Sequence, residues 1–319
     1  MMPHTWDTQP PLNLNDDQIW PGMTAAEMPE ATKGATDMIF VLTRATLGLF
    51  FARTGTMGHG PHGGKHYPDI EPIILEAERE VEENYLRYCD VINPLHFLTA
   101  SLARAAMNAM RIRVRLPKVR DNTATRAEKQ EILRFALKIL DTDAAAYTNR
   151  GLKKYLWHAR AFFAWGSWDS LIFILTTLRS VGVFSPTEVD AGWQRIEQAY
   201  VNHGGLLGFR KSIQNIAIAR LTLRAWDTNP PSNSIPEPGF ITSLRTMRSV
   251  IKKQRQDTAG GSSFSETAGE TTSSDPSPPD DLNFNLNDFA GDPNLDLGND
   301  FDLDSTDWVF WEKMIKDFQ

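Results

Sequence analysis

Apolar residues recur at helical spacing across residues 36–246, and no stretch shows the sustained two-residue alternation of a half-buried strand. Proline and glycine separate the periodic segments, as they do at helix ends. Hydrophobic residues fill 41% of the 319 positions, which is a globular composition. The sequence therefore predicts an all-α fold, organised as an irregular multi-helix bundle.

Local capping signals predict where three helices begin. Thr125 with Glu128, and Ser185 with Glu188, match the reciprocal capping box, in which a hydroxyl and a carboxylate each satisfy a free backbone donor. Asn93 precedes Pro94, whose missing N–H costs nothing in a first helical turn. We expect a helix after each of these signals.

Two further segments predict helices of different character. The segment beginning near Asp69 has apolar residues at steps of three and four from Ile74 to Ile92, with glutamates on the remaining faces. It should be one amphipathic helix with a solvated acidic side. Residues 155–178 are apolar all round, which indicates a helix or helix pair buried on every side.

The sign of the charge changes along the chain. Residues 1–256 hold 31 Lys and Arg against 25 Asp and Glu, whereas residues 257–319 hold 2 against 15. After residue 256 the composition turns to Gly, Ser, Thr and Pro, which bury too little apolar surface to fold. We predict a helical domain over 1–256, a flexible linker over 257–282 and a disordered acidic tail over 283–319.

Acidic and hydrophobic residues alternate in the tail, a composition typical of disordered activation segments. We predict that its apolar side chains bind transcriptional coactivators: Phe284, Leu286, Phe289, Leu295, Leu297, Phe301, Leu303, Trp308, Trp311, Ile315 and Phe318.

Two basic runs could contact phosphate or an import receptor. The first contains Arg111, Arg113, Arg115, Lys118 and Arg120, and its simpler interpretation is a solvated helix end. The second borders the linker and is the nuclear import candidate: Arg245, Arg248, Lys252, Lys253 and Arg255. Neither run has the flanking architecture of a base-reading module.

The sequence contains no catalytic motif that we recognise. His59, His62 and His66 lie in a glycine-rich stretch that is poorly suited to hold a metal ion, and we expect no cofactor in this chain. The single cysteine, Cys89, excludes an internal disulfide and suits a reducing compartment. Neither a secretory signal nor a membrane-spanning run is evident.

The chain resembles the fungal-specific transcription factor domain, the helical middle homology region of fungal zinc-cluster regulators. The likeness covers about the first 250 residues. It is carried by an early motif, Pro11-Leu12-Asn13-Leu14-Asn15-Asp16-Asp17 with Thr36-Asp37-Met38-Ile39-Phe40, and by later segments, Asn93-Pro94-Leu95-His96-Phe97-Leu98, Ala191-Gly192-Trp193-Gln194-Arg195-Ile196-Glu197 and Leu223-Arg224-Ala225-Trp226.

This resemblance implies a nuclear transcription regulator that is not an enzyme. Members of the family usually begin with six cysteines that bind two zinc ions and read DNA, and that cluster has no counterpart here. We therefore expect zinc only in the absent cluster, and contact with DNA only indirectly or through a missing amino-terminal domain. The chain looks like the carboxyl-terminal part of such a regulator.

Two alternatives remain open. The chain could modulate a full-length paralogue without touching DNA. Its partners would be transcriptional coactivators together with either such a paralogue or a second copy of the chain, in a homodimer. An all-α enzyme is the other possibility, although no residues support it.

Limited proteolysis checks the predicted boundaries. Because exposed small and polar segments are preferred cleavage sites, we expect cuts within residues 257–282 and a resistant helical fragment. Mass spectrometry of the fragments identifies the cut sites. Resistance throughout that interval would show that the linker is packed.

Overall fold

The computed structural model describes residues 10–54, 67–158, 166–204, 213–233 and 236–260. Every regular element in these ranges is helical, which confirms the predicted all-α class. Eight α-helices lie in them: α1 (Ile39–Thr54), α2 (Tyr67–Asn84), α3 (Pro94–Arg120), α4 (Arg126–Thr148), α5 (Trp168–Leu178), α6 (Pro186–His203), α7 (Ile213–Thr228) and α8 (Gly239–Gly260). Short 3-10 helices lie at Asp16–Gln18, Leu86–Tyr88 and Arg150–Tyr155.

The three predicted helix starts are confirmed with the expected hydrogen bonds. The side chain of Asn93 accepts from the backbone N–H of Leu95 at 2.9 Å, with Pro94 as the first residue of α3. Reciprocal capping boxes begin α4 and α6. Because each signal needs only residues within one turn, sequence alone was sufficient to find it.

Helix α3 divides the core between its faces. Ala103, Met107 and Met110 pack against α1 and α2. On its other side, Ala109 and Ile112 join a larger cluster that includes buried residues of α4, α5, α6 and α7. The alanines of α3 carry a single methyl group, so neighbouring helices can approach its backbone closely.

The prediction that one helix continues to Ile92 is wrong. Helix α2 ends at Asn84, and Ile92 is 85% exposed. The side chain of Asp90 accepts the N–H of Ile92 at 2.9 Å, and the backbone O of Asp90 accepts the N–H of Asn93. Since Asp offers the backbone a local alternative to helical hydrogen bonds, a turn forms although the apolar spacing persists.

The expectation of burial throughout residues 155–178 is correct for α5 but wrong for Trp157, which is 69% exposed. Leu171, Phe173 and Leu175 on α5 are fully buried. Residues 159–165 lie outside the described ranges. An apolar run shows how much surface a segment should bury, but it does not show which single side chain is left uncovered.

Aromatic contacts join the last three helices. Trp193 of α6 and Trp226 of α7 meet edge to face, with 4.9 Å between ring centroids. The indole N–H of Trp193 donates to the backbone O of Asn229 at 2.8 Å. Tyr200 stacks on Phe240 at the start of α8. These contacts place two separate segments of the family-like sequence against one another.

The capping box of α4 predicts a pH-dependent contribution to stability. A hydrogen bond from Lys118, followed by hydrogen bonds from Thr125, lowers the pKa of Glu128 from 4.5 to about 2. A carboxylate whose pKa is lowered on folding stabilises the protein above its unfolded pKa, and loses that effect as the pH falls.

We expect Glu128→Ala to lower the free energy of unfolding by about 1 kcal/mol at pH 7, with a smaller effect as the pH falls from about 4.5 to about 2. Urea denaturation across this pH range measures the difference. Glu197→Ala, at an exposed position on α6, is the matched control. A constant difference down to pH 2 would contradict the assignment.

Candidate functional site

The predicted coactivator-binding residues, Phe284 to Phe318, all lie outside the described residues. Their role stays a prediction. The domain boundary predicted at residue 256 also stays a prediction. Helix α8 continues past that position to Gly260. Candidate surfaces in the described part of the chain must therefore be found among other residues.

The first basic run faces other helices rather than solvent. Arg111 Nη2 lies 2.6 Å from Glu78 Oε2 of α2, and Arg113 Nε lies 2.7 Å from Asp169 Oδ2 of α5. Arg115 is 5% exposed and its Nε lies 3.3 Å from Glu131 Oε2 of α4. The interpretation of this run as a solvated helix end is therefore wrong for these three arginines.

The acidic side of α2 is part of the same network. Glu71 lies 3.5 Å from Arg111 and 3.7 Å from Arg115, and Glu78 makes two hydrogen bonds to Arg111. Burial opposes the charge of Arg111, but the bonds from Glu78 and Glu71 outweigh it, so the pKa of Arg111 is raised. Glu78, on the predicted acidic side, pairs with Arg111 while its side chain stays 46% exposed.

The remaining members of this run are also paired. Lys118 Nζ lies 2.7 Å from Glu128 Oε1, and Arg120 Nε lies 3.0 Å from Asp121 Oδ1. A phosphate would have to compete with a carboxylate at every position in the run. The first basic run therefore mainly joins α3 to its neighbouring helices, and it is a poor candidate for binding nucleic acid.

The second basic run begins with a paired arginine. Arg245 Nη2 lies 2.5 Å from Asp227 Oδ1 and its Nε lies 3.0 Å from Glu237 Oε1, which fastens the start of α8 to α7 and to the preceding turn. Arg248 is exposed. Lys252, Lys253 and Arg255 lie within α8, but their side chains are outside the description.

Helix α8 is buried near its start and exposed over residues 245–250. Ile241 and Leu244 are buried, whereas every residue from 245 to 250 is exposed and the helix continues to Gly260. The 16 residues after Leu244 extend about 24 Å at the usual helical rise. Met247 and Val250 share one face of this part and are 37% and 50% exposed.

Hydrogen bonds from Asn13 close an amino-terminal loop. Its side-chain amide donates to the backbone O of Thr32 at 2.6 Å and of Gly34 at 2.9 Å, and its Oδ1 accepts from the hydroxyl of Thr36 at 2.6 Å. Leu14 beside it is 1% exposed. The two halves of the early family-like motif are thus brought together.

Asn15 makes a second closure beside the first. Its Oδ1 accepts the N–H of Asp37, and Asp37 Oδ2 accepts the N–H of Asp16, both at 3.1 Å. The side chains of Asn13, Asn15 and Asp37 therefore have a structural role. They hold a long connection against the start of α1.

The closed loop presents an exposed tryptophan. The backbone O of Trp20 accepts the N–H of Met23 at 3.2 Å across Pro21 and Gly22. Gly22 has φ +88°, the value that a type II turn needs at its third position. Trp20 is 52% exposed and Ile19 is 49% exposed. Trp-Pro-Gly was a turn signal that our sequence interpretation did not use.

Two aspartates come shortly before this tryptophan in the chain. Asp16 and Asp17 are exposed, and neither pairs with a basic side chain among the described residues. Met28, also in the loop, is 42% exposed. We call Asp16, Asp17, Ile19, Trp20 and Met28 the acidic loop surface. It combines exposed apolar side chains with carboxylates that have no basic partner among the described residues, which suits protein binding.

A buried histidine and aspartate form another polar pair. His203 Nε2 of α6 lies 2.9 Å from Asp143 Oδ2 of α4, and their side chains are 1% and 4% exposed. The hydroxyl of Tyr147 lies 3.4 Å from His203 Nδ1. At this depth the pair joins two helices, and it offers no accessible base for catalysis.

The described residues also bear on metal binding, on the thiol of Cys89 and on membrane-spanning helices. None of their His, Cys, Asp and Glu clusters is arranged to hold a metal ion. His59, His62 and His66 lie outside the described ranges. Cys89 is half-buried against α1, α2 and α3, and burial raises the pKa of its thiol. No described helix is long and apolar enough to cross a membrane.

Comparison with known proteins finds relatives among fungal transcription regulators. The chain is 29% identical over 255 residues to the aurofusarin cluster transcription factor aurR2 of Gibberella zeae, which covers 78% of this chain. It is 24% identical over 280 residues to the pyriculol/pyriculariol biosynthesis cluster transcription factor 1 of Pyricularia oryzae, covering 77%. It is also 24% identical over 240 residues to transcriptional regulator AacuB of Aspergillus aculeatus, covering 70%.

These similarities support a relationship to fungal transcription factors over about three quarters of the chain. The chain spans about a third of the length of the relatives it matches, between 30% and 35%. No family model and no solved structure matches it.

Replacing Asn13 tests whether its hydrogen bonds hold the amino-terminal loop closed. Asn13→Ala removes three side-chain hydrogen bonds, so we expect the free energy of unfolding to fall by about 2 kcal/mol. Hydrogen exchange should accelerate at residues 14–34. Asn84→Ala, at the exposed end of α2, is the control. Unchanged exchange in the loop would show that Asn13 does not hold it closed.

Proposed function

We propose that this chain is the regulatory and activating part of a fungal zinc-cluster-type transcription regulator. The observation that carries the proposal is the similarity of about three quarters of the chain to proteins named as fungal transcription factors. The helical part would correspond to the fungal-specific transcription factor domain. In this proposal the chain has no enzymatic activity.

The acidic tail would recruit coactivator. Asp307 begins a stretch in which Trp308, Trp311, Ile315 and Phe318 are separated by steps of three and four, so a helix would place them on one face. Twelve residues are too few to form a stable helix alone, which favours folding upon binding to a groove. The aromatic anchors would supply most of the affinity, and the acids would steer the tail toward a basic surface.

We further propose that the protein acts in the nucleus and that α8 contributes to import. Arg248 is exposed on a part of α8 that no described helix covers, and Lys252, Lys253 and Arg255 follow in the same helix. Arg245 could take part only by leaving Asp227 and Glu237. The accessible import signal would therefore begin at Arg248.

Contact with DNA would come from outside these residues. The chain holds one cysteine, whereas the zinc cluster of the proposed family needs six. A second candidate function follows from this count: the chain could modulate a paralogous regulator that itself binds DNA. Chromatin association that depends on such a partner would favour the second candidate.

Substitution of two tail tryptophans tests the activator role. With the full chain fused to a foreign DNA-binding domain, we expect Trp308→Ala with Trp311→Ala to reduce reporter activation about tenfold, because anchors of this kind dominate helix-in-groove binding. The melting temperature should not change. Phe264→Ala, in the predicted linker, is the control.

Two outcomes would contradict this assignment. Full activation by the double variant would remove the two tryptophans from the coactivator site. A clear drop in melting temperature would show instead that they pack in the protein's own core.

A further inference from the structure

Four exposed cations have no ion-pair partner among the residues that the structure describes. Arg150, Lys153 and Lys154 lie in the 3-10 helix that follows α4, and Arg44 lies on α1. By contrast, the arginines of the first basic run are each paired with a carboxylate. The positive charge of these four side chains is therefore available to attract an anionic partner.

A buried histidine connects Arg44 to an exposed tryptophan. Arg44 Nη1 lies 2.7 Å from His158 Nε2, and the rings of His158 and Trp157 meet edge to face with 5.4 Å between centroids. Burial, and then the charge of Arg44, lower the pKa of His158, so its imidazole is a neutral acceptor that leaves the charge of Arg44 uncompensated. Trp157 is 69% exposed, and Lys154 lies three residues before it in a continuous helical stretch. Cations from two elements therefore lie close to this indole.

The turn before α3 brings exposed aliphatic side chains to the same end of the helix bundle. A Cβ added at Gly151 would lie 2.9 Å from Pro94 Cγ, so the backbone beside Arg150 packs directly on the first residue of α3. Val91 and Ile92, three and two positions before that proline, are 73% and 85% exposed. Large apolar side chains that are exposed together beside polar ones mark binding sites.

Hydrogen bonds and packing fix the shape of this surface. We call it the basic aromatic surface, and it consists of Arg44, Ile92, Arg150, Lys153, Lys154 and Trp157. Asn149 Oδ1 accepts the N–H of Gly151, and Asp90 Oδ1 accepts the N–H of Ile92, both at 2.9 Å. Beneath it, Leu98 of α3 and Leu152 of the 3-10 helix share an apolar cluster. A surface of fixed shape loses little conformational freedom when it binds, so more of the contact energy appears as affinity.

The composition of the basic aromatic surface indicates the chemistry of its partner. Its cations favour carboxylates, whereas Trp157 and Ile92 favour bulky apolar side chains. The phosphates of nucleic acid would satisfy the cations, but interfaces with nucleic acid are more polar and would leave Val91 and Ile92 uncovered. A peptide that alternates acidic and apolar residues matches both halves of the surface.

From these observations we infer that the basic aromatic surface binds an acidic amphipathic segment of a partner protein, in which Asp or Glu alternates with bulky apolar residues. Trp157 and Ile92 contact the apolar side chains of that segment, and the four cations contact its carboxylates. The inference concerns the helical part of the chain and does not depend on the proposed role in transcription.

Fluorescence anisotropy of the full chain with a labelled synthetic peptide measures the binding. The probe is a peptide of about 16 residues in which Asp alternates with Leu and Phe. We expect saturable binding that weakens as salt rises from about 0.05 to about 0.5 M, since the contact is partly electrostatic. A peptide with the same acids, but with Ser in place of Leu and Phe, should bind at least about tenfold more weakly. No binding of the first peptide, or equal binding of the two, would overturn the inference.

Charge reversal tests the basic half of the surface. We expect Lys153→Glu with Lys154→Glu to weaken binding of the acidic peptide at least about tenfold, because it places like charges in the contact. Arg134→Glu with Lys138→Glu makes the same charge change at exposed positions in the middle of α4, and should bind the peptide normally.

Truncation of apolar side chains tests the other half without altering the charge. Trp157→Ala and Ile92→Ser should each weaken binding at least about fivefold, because anchors of this kind dominate interfaces. Val181→Ser, at a position that is 72% exposed before α6, is the matched control for Ile92→Ser. Matching melting temperatures check that each variant is folded. The inference fails if the lysine variant, Trp157→Ala or Ile92→Ser binds the peptide like the wild type.

Three other occupants would give different results. Tighter binding of a single strand of about 20 deoxythymidines than of the peptide would assign the surface to nucleic acid. Peptide binding that appears only in Trp308→Ala with Trp311→Ala would assign it to the chain's own tail. A dimer in sedimentation that Trp157→Ala dissociates would assign it to a second copy. Each of these results would overturn the inference of a separate acidic partner.

Discussion

Close packing on both faces of α3 is the constraint on which the rest of the structure depends. One face meets α1 and α2, and the other meets α4 and the larger core. Alanines such as Ala103 and Ala109 allow helices to approach from both sides, because each occupies little volume. Helix α3, with 27 residues from Pro94 to Arg120, is the one helix of the described residues that contributes to both clusters.

The same two-sided packing determines what happens to the charges of α3. Arginines at positions 111, 113 and 115 point to different neighbours, and each finds a carboxylate on α2, α4 or α5. Half-buried charges need such partners, since an unpaired one would be strongly destabilising. These three arginines are thus used to join helices.

The family-like motifs also hold separate parts of the chain together. Asn13 and Asn15 tie the amino-terminal loop to Thr36 and Asp37, while Trp193 and Trp226 fasten α6 to α7. Their spacing in sequence gives no hint that they meet. By holding the loop in one shape, the first pair of motifs also places Trp20 on the surface. Fold and candidate binding surface therefore rest on the same hydrogen bonds.

Sequence by itself determined the helical class, the starts of α3, α4 and α6, and the change of charge after residue 256, because each depends on composition or on residues within one helical turn. It could not place the end of α2, the inward arginines of α3, the exposure of Trp157 or the exposed stretch 245–250 of α8. Those depend on which surfaces meet between residues far apart in sequence. The arginine spacing of α3 is compatible with solvent or with an ion-pair network, and the tertiary structure decided between them by bringing Glu71, Glu78, Glu131 and Asp169 within reach.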